Sequence, residues 1–181
     1  MPEILTIGHS TLSIEQFLEL LEGADAEAVA DVRRYPGSRR HPQFAREALA
    51  ASLHEQGLGY LHLPELGGRR QPHPDSPHTG WRQSGFRGYA DHLRSKEFAS
   101  GLSRLEGQAL RVRTAIMCAE AMWWRCHRRL VADVLLLRGW NVQHVLPDGR
   151  TVGHELPEFA TRAEDGLPDY GGGQQAALWG K

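Results

Sequence analysis

The chain contains few cysteines and no long apolar run. Only two of its 181 residues are cysteine, which excludes a disulfide scaffold and favours free thiols, buried packing residues or ligands in a reducing compartment. One disulfide between the two remains open. No run approaches the roughly 18 to 20 apolar residues of a membrane span, and Met1-Pro2-Glu3 leads directly into a strand pattern without a secretory signal. We therefore expect a cytoplasmic protein that does not contact a membrane.

The chain also lacks a charge bias and a cofactor fingerprint. It has 21 Lys and Arg against 22 Asp and Glu, so the net charge of −1 provides no global attraction to nucleic acid. Any such attraction must be local. Neither G-x-G-x-x-G nor G-x-x-x-x-G-K-[ST] occurs, and no C-x2-C pair is present. We predict no cofactor, with a soft metal such as zinc as the alternative.

Strand-like and helix-like segments alternate along the chain. Buried-strand patterns occur near residues 4–8, 28–32, 60–63, 110–117 and 140–146, with helical patterns between them. This order predicts a single α/β domain, with a mostly parallel five-stranded sheet covered by helices on both faces in a Rossmann-like three-layer arrangement. Residues 64–85 have no period and predict a long loop. We expect the domain to span residues 1–157 and residues 158–181 to form an irregular, mobile tail.

Chemically active side chains concentrate in residues 114–130, at a predicted strand-to-helix junction. Cys118, Glu120, Cys126 and His127 fall within ten residues. These side chains are the usual nucleophiles, proton carriers and soft-metal ligands of proteins. The segment therefore predicts a site without naming a reaction.

Several other polar residues follow predicted strands. In parallel α/β folds, ligands bind beyond the carboxyl ends of the strands, so these residues are expected at one edge of the sheet with Cys118, although the order of the strands is not readable from the sequence. They are His9 and Ser10 after the first strand, Arg33 after the second, and Gly67-Gly68 after the third. Asp31 lies inside an apolar run, where it needs either a structural partner or a role as a catalytic acid.

The motifs resemble, in their order, those of the DUF488 family, a group named for its undetermined function. The resemblance covers about residues 4 to 150 and implies a single α/β domain without implying a reaction. It rests on Ile7-Gly8-His9-Ser10, on Asp31-Val32-Arg33 with Pro36 and Ser38, on Tyr60 with Leu66-Gly67-Gly68, and on Met117-Cys118-Ala119-Glu120 with Cys126-His127-Arg128.

The start of the last helix decides whether this cluster is compact. Similar proteins often have Asp-Pro where this chain has Met122-Trp123, and Pro favours the first helical position. A helix that begins near Trp123 would keep His127 close to Cys118. A helix that begins at Ala119 would separate Glu120 from His127 by about 10 Å along its axis.

Three interpretations of the cluster compete. In the first, Cys118 is a nucleophile, Glu120 or His127 accepts its proton, and Arg33 or Arg128 holds an anionic group. The phosphatase loop is excluded, because six residues rather than five separate Cys118 from Arg125. In the second, a soft metal binds Cys118, Cys126 and His127, with a fourth ligand from His9, His144 or His154. In the third, the cysteines only pack in the core.

We favour an enzyme that acts on an anionic substrate, a nucleotide, nucleobase or nucleic acid, as a hydrolase or transferase. Its catalytic residues would be Cys118, Glu120 and His127. The predicted substrate contacts are His9, Ser10, Arg33, Ser38, Gly67, Gly68 and Arg128. The alternative is a non-catalytic module that binds nucleic acid through its basic loops, at residues 33–40 and 69–70, or a metal through its cysteines.

Overall fold

Strands and helices alternate through most of the chain. A computed structural model describes residues 1–37 and 39–171. Its elements are β1 (Glu3–Gly8), α1 (Ile14–Gly23), β2 (Ala28–Asp31), α2 (Arg46–Glu55), β3 (Gly59–His62), α3 (Ser84–His92), α4 (Lys96–Ala109), β4 (Thr114–Cys118), α5 (Arg128–Leu137), β5 (Asn141–Val145), β6 (Thr151–Gly153), β7 (Thr161–Arg162) and β8 (Pro168–Asp169). Across the described ranges, no helix has both the length and the apolar character needed to cross a membrane.

One six-stranded sheet organises the domain, in the order β3-β2-β4-β1-β5-β6. In this order the first five strands pair in parallel, and β6 pairs antiparallel with β5 at the edge of the sheet. The predicted α/β class with a mostly parallel sheet is confirmed, but the predicted number of five strands is too low. The sixth strand, β6, is three exposed residues at an edge, and such a segment shows no burial period that a sequence pattern could reveal.

Helices cover both faces of the sheet. Alternate residues of β1 point to opposite faces, so Leu5 packs in a core with residues of α1 and α2, while Ile4 packs in a larger core with α3, α4 and α5. Both side chains are fully buried. Cys118, the last residue of β4, belongs to the larger core and therefore faces the α5 side.

The helix after β4 begins later than either position that the sequence indicated. Trp123–Arg125 forms a short 3-10 helix, Cys126 is extended with φ −120° and ψ 147°, and α5 begins at Arg128. Cys126 thus precedes the helix. Its side chain is nevertheless buried, with 3% of its surface exposed.

The described part of the predicted tail packs on the domain. Residues 158–171 contain the strand pair β7–β8, and Tyr170 is fully buried in the larger core. The packing partners of this stretch lie far away in the sequence, so no local pattern indicates them. The rest of the predicted mobile tail, residues 172–181, lies outside the described residues.

A buried chain of hydrogen bonds links β1, β5, α5 and the C-terminal segment. His154 Nε2 lies 2.6 Å from Asp133 Oδ1, and the Tyr170 hydroxyl donates to Asp133 Oδ2 at 2.6 Å. His154 Nε2 must donate to the carboxylate, so its Nδ1 accepts from His144 Nε2 at 2.9 Å. His144 Nδ1 then accepts from the Thr6 hydroxyl at 2.6 Å. Every group in the chain is satisfied while the His144 imidazole is neutral.

This network predicts a loss of stability in mild acid. Burial, and then the neighbouring His154, lower the pKa of His144 to about 2, whereas an unfolded histidine titrates near 6.5. Below pH 6.5 the unfolded chain therefore binds the extra proton, so stability is full above that pH and falls as the pH is lowered. We expect this group to cost about 2 kcal/mol of the unfolding free energy between pH 7 and pH 5.

Urea unfolding at pH 7 and pH 5 measures this effect. His144→Leu should be less stable at pH 7, because its partners lose hydrogen bonds, but should show a weaker pH dependence than the wild type. His54→Gln, at an exposed position, is the matched control and should keep the wild-type dependence. An equal pH dependence in His144→Leu and the wild type would contradict the assignment.

Candidate functional site

The strand order brings together the predicted residues that follow β1, β2 and β4. The neighbours β2, β4 and β1 end together, with Gly8 paired to Cys118 and Asp31 paired to Met117. The connection after β1 runs through α1 over one face of the sheet, and the connection after β4 runs through α5 over the other. Parallel sheets bind ligands where neighbouring connections diverge in this way. Cys118 lies at this point.

The loop after β4 folds tightly over the end of β1. A Cβ atom on Gly8 would lie 1.9 Å from the carbonyl oxygen of Glu120, so only glycine fits there. Arg128 donates from Nη1 to the Glu120 carbonyl at 2.5 Å and from Nη2 to the Ala121 carbonyl at 3.0 Å. These contacts turn the chain back, so that the residues before α5 return to Cys118.

His127 is held in a defined tautomer beside the two thiols. Its Nε2 lies 3.1 Å from the carbonyl oxygen of Val32 and must donate to it, so Nδ1 of the neutral ring carries the lone pair. Nδ1 lies 3.9 Å from Cys118 Sγ and 3.6 Å from Cys126 Sγ. A Cβ atom on Gly68 would lie 2.8 Å from this nitrogen. The imidazole is therefore placed to accept a proton from either thiol.

The two cysteines have opposite acidities. A hydrogen bond from Cys126, followed by the nearby His127 and Arg128, holds the pKa of Cys118 well below that of an ordinary thiol. Burial raises the pKa of Cys126, and its hydrogen bond to Cys118 raises it further. Cys118 is thus the more acidic thiol of the pair, and Cys126 stabilises its thiolate. Cys118 is 9% exposed and borders solvent-filled space.

A buried ion pair fixes a guanidinium next to this thiolate. Asp31, which is fully buried, accepts from Arg33 Nε at 2.9 Å and from Arg33 Nη2 at 2.7 Å, and the Tyr60 hydroxyl donates to it at 2.6 Å. Burial and then the bond to Asp31 raise the pKa of Tyr60, so the phenol stays protonated. The remaining nitrogen, Nη1, lies 3.4 Å from His9 Nε2. The structural-partner interpretation of Asp31 matches this geometry, since its carboxylate is occupied by positioning Arg33.

Two adjoining cavities open onto Cys118. The smaller, of about 180 Å³, is lined by Arg33, Arg34, Tyr35, Gly68, Arg69, Cys118, Ala119 and His127. The larger, of about 530 Å³, shares five of these residues and extends along Gln83, Gly85, Phe86, Glu120, Arg125 and Cys126. Four arginines therefore border the space above one thiolate, which favours an anionic ligand. A larger cavity of about 830 Å³ lies at the opposite edge of the sheet, among carboxylates of α1 and Arg113.

The other predicted residues differ in how close they come to the thiolate. The Glu120 side chain is exposed, and its carboxylate accepts from the Met122 backbone N–H at 3.2 Å. Arg128 is 1% exposed and donates its hydrogen bonds to the carbonyls of the loop after β4. It therefore stabilises that loop from the protein interior. His9 is buried behind Arg33 and stacks on Phe44.

Ser10, Gly67 and Ser38 complete the predicted set. The carbonyl of Ser10 accepts from His9 Nδ1 at 2.9 Å, and the residue adopts a positive φ of 46°. Gly67 packs against the backbone of Arg34, which leaves no room for a side chain. Ser38 lies outside the described residues. Their contacts with substrate stay predictions.

Three residues at the site were not predicted to act there. Tyr60 was named only in the family resemblance, and Arg34 and Arg69 were not among the predicted substrate contacts. Arg34 Nη1 donates to the carbonyl of Arg69 at 3.1 Å and joins their two loops at the cavity. The only sequence signal was that each basic loop follows a strand, since the bond that joins them depends on tertiary contact.

The same atoms that surround Cys118 form a set of soft ligands. Cys118 Sγ, Cys126 Sγ and a ring nitrogen of His127 all lie within 4.8 Å of one another. The imidazole bonds a backbone carbonyl through its other nitrogen, as metal-bound histidines do. His144 and His154, predicted as alternative fourth ligands, are instead bonded to each other in the buried network.

The reactivity of Cys118 should depend on the glycine that packs against His127. Gly68→Ala would place a methyl group 2.8 Å from His127 Nδ1 and displace the ring. We expect slower alkylation of Cys118 by iodoacetamide at pH 7, because less thiolate is present, and a higher pH midpoint of the reaction. The measurement is the rate of mass increase at each pH. Gly37→Ala, where a Cβ atom meets nothing within 4 Å, is the control and should react as the wild type does. Equal rates in the two variants would show that His127 does not set the thiol's acidity.

The comparisons with known proteins agree with the predicted family. The model of a domain of unknown function, DUF488, matches residues 13–135, which include β2, β3, β4 and most of α5. No match was found among curated proteins or among solved structures. Since the family model covers more than half of the chain, the protein belongs to the DUF488 family.

Proposed function

We propose that the protein is an enzyme in which Cys118 attacks an anionic substrate bound among the arginines at the ends of β2 and β4. The observation that carries the proposal is the placement of a low-pKa thiol at the floor of a cationic cavity, with His127 Nδ1 3.9 Å away. A structural cysteine would need neither the cavity nor the base. Nucleophilic cysteines occupy electropositive, partly accessible places of this kind.

The geometry supports a two-step transfer. Cys118 loses its proton to His127 Nδ1, and its sulfur forms a bond to the electrophilic atom of the substrate while the bond to the leaving group breaks. The leaving group takes the proton from His127. Water, or another acceptor, then gives a proton to the imidazole and displaces the thiolate, which completes hydrolysis or transfer. Each proton lost in one half of the reaction is returned in the other.

The arginines give the substrate its charge preference. Arg33 is held rigid by Asp31, so it can meet a developing negative charge without reorganising. Arg34 and Arg69 lie at the rim and are more exposed, so they suit attraction and binding of an anionic group.

A nucleotide or nucleic acid is the substrate class that the surroundings favour. Tyr35 lines the smaller cavity, is 65% exposed, and lies beneath the guanidinium of Arg34 at 5.5 Å. Trp124, in the loop that leads to Cys126, is 43% exposed. Exposed aromatic rings beside arginines provide stacking surfaces for bases and charge for phosphates.

The proposal is tested by screening nucleotides and short oligonucleotides for turnover with the full chain. Cys118→Ala should abolish turnover, and His127→Gln should reduce kcat by roughly 10²- to 10⁴-fold, the usual contribution of a general base. Both should retain the wild-type circular dichroism spectrum. Undiminished turnover in Cys118→Ala would overturn the nucleophile.

The charge contribution is tested separately. Arg34→Gln should raise KM and weaken its dependence on salt, because it removes one charge from the rim. Arg150→Gln is the matched control, since Arg150 is an exposed arginine that pairs with Asp148 beside β6. It should leave both quantities unchanged. Nucleic-acid binding that falls with salt but is unaffected by Cys118→Ala, without turnover, would indicate a binding module instead.

Soft-metal binding is a second candidate function, favoured by the convergence of Cys118, Cys126 and His127 within 4.8 Å. A zinc ion held there would take up the thiolates and block their alkylation. Zinc titration with iodoacetamide labelling distinguishes the two functions: protection of both cysteines at stoichiometric zinc supports a metal site, and unchanged labelling of Cys118 supports the enzyme.

A further inference from the structure

Cys126 neither attacks the substrate nor accepts a proton in the proposed transfer, yet it lies beside the nucleophile. Its sulfur, the sulfur of Cys118 and a ring nitrogen of His127 lie within 4.8 Å of one another. Both cysteines are free thiols. The proposed transfer forms a bond to only one sulfur, so the second thiol beside it is available for a further reaction.

We propose that Cys126 is a resolving cysteine, which converts a peroxide-oxidised Cys118 into a reversible Cys118–Cys126 disulfide. The inference concerns regulation of the same site and rests on the proposed function only in that the disulfide would switch that activity off. Three observations carry it: the closeness of the sulfurs, the greater exposure of Cys118, and the base shared by both thiols.

The accessibility of the two thiols is unequal in the direction that the reaction needs. Cys118 lines both cavities, so a peroxide reaches it first. Cys126 is 3% exposed and lines only the larger cavity. The buried thiol is thus protected from direct oxidation while it remains beside the sulfur that is oxidised.

The chemistry balances with a peroxide as the oxidant. Cys118 gives its proton to His127 Nδ1, its sulfur attacks one peroxide oxygen and the O–O bond breaks. The departing oxygen takes that proton back from His127 and leaves as water or an alcohol, so that Cys118 becomes a sulfenic acid and the imidazole is neutral again. Cys126 loses its proton to His127 Nδ1, 3.6 Å away, and its sulfur attacks Cys118 Sγ. The S–O bond breaks, and the hydroxide leaves as water with the proton from His127. Two thiols and one peroxide thus give one disulfide.

The local backbone can accommodate this step. Cys126 is the extended residue between the 3-10 helix and α5. Its backbone makes one hydrogen bond to the residues before it, from its N–H to the Trp123 carbonyl at 3.2 Å, and one to those after it, from the Arg129 N–H to its carbonyl at 3.0 Å. Cys118 is fixed at the end of β4. Formation of the S–S bond, about 2.05 Å long, therefore requires movement of the Cys126 side chain and its linker, while the sheet stays in place.

Mass spectrometry of the intact chain after treatment with hydrogen peroxide tests the proposal without a substrate. The wild type should lose the mass of two hydrogens, give a peptide pair that joins Cys118 to Cys126, and return to its original mass with dithiothreitol. Cys126→Ser should instead gain oxygen at Cys118 and proceed to the sulfinic or sulfonic form, which dithiothreitol does not reverse. Cys118→Ser should keep its Cys126 thiol unchanged.

Cys126→Ala provides a second replacement of different polarity. If both variants fail to fold, the presence or absence of the joined Cys118–Cys126 peptide pair in the wild type decides whether the disulfide forms. Oxygen gain at Cys118 in the wild type, with no joined peptide pair, would overturn the proposal. Disulfide formation in a protein without turnover would leave the redox chemistry standing and refute only the enzyme. Turnover that survives peroxide, despite complete disulfide formation, would refute the regulatory part.

Discussion

The candidate site depends on one buried guanidinium. Arg128 lies beneath the loop that follows β4 and donates to the carbonyl oxygens of Glu120 and Ala121. Such charge-assisted bonds contribute roughly 1.5 to 3 kcal/mol each to the stability of the fold. Here they also set the direction of the chain after β4. They turn the chain back over Gly8, where a side chain would collide with the loop. Without this reversal, His127 would not reach Cys118.

The rest of the machinery is positioned by groups that never need to touch a substrate. Asp31 and Tyr60 hold Arg33, the Val32 carbonyl orients His127, and a glycine leaves room for that ring. Buried polar groups are costly unless paired, so each pairing also fixes a geometry. The result is a rigid cationic environment that stabilises a thiolate before any ligand arrives.

The loop before α5 is held from its far side as well. Trp123, in the 3-10 helix, stacks on His144 with ring centroids 4.2 Å apart, and His144 belongs to the buried chain that ends at Asp133 and Tyr170. The C-terminal segment thus stabilises the loop that carries the second thiol. Residues 158–171, which the sequence predicted to be part of a tail, thus help to position the site.

The sequence by itself determined the fold class, the parallel sheet and the list of reactive residues. The spacing of apolar residues and the positions of polar residues at strand ends are local patterns, so the sequence shows them directly. It identified Cys118, Arg33 and His127 as residues at strand or helix ends. Only the tertiary structure decided that β2, β4 and β1 are neighbours, that Arg128 works from below while Arg34 and Arg69 face the cavity, and that Cys126 lies against Cys118. These outcomes rest on contacts between residues as many as 110 positions apart. The energies of those contacts depend on which strands pair, and no local pattern encodes that choice.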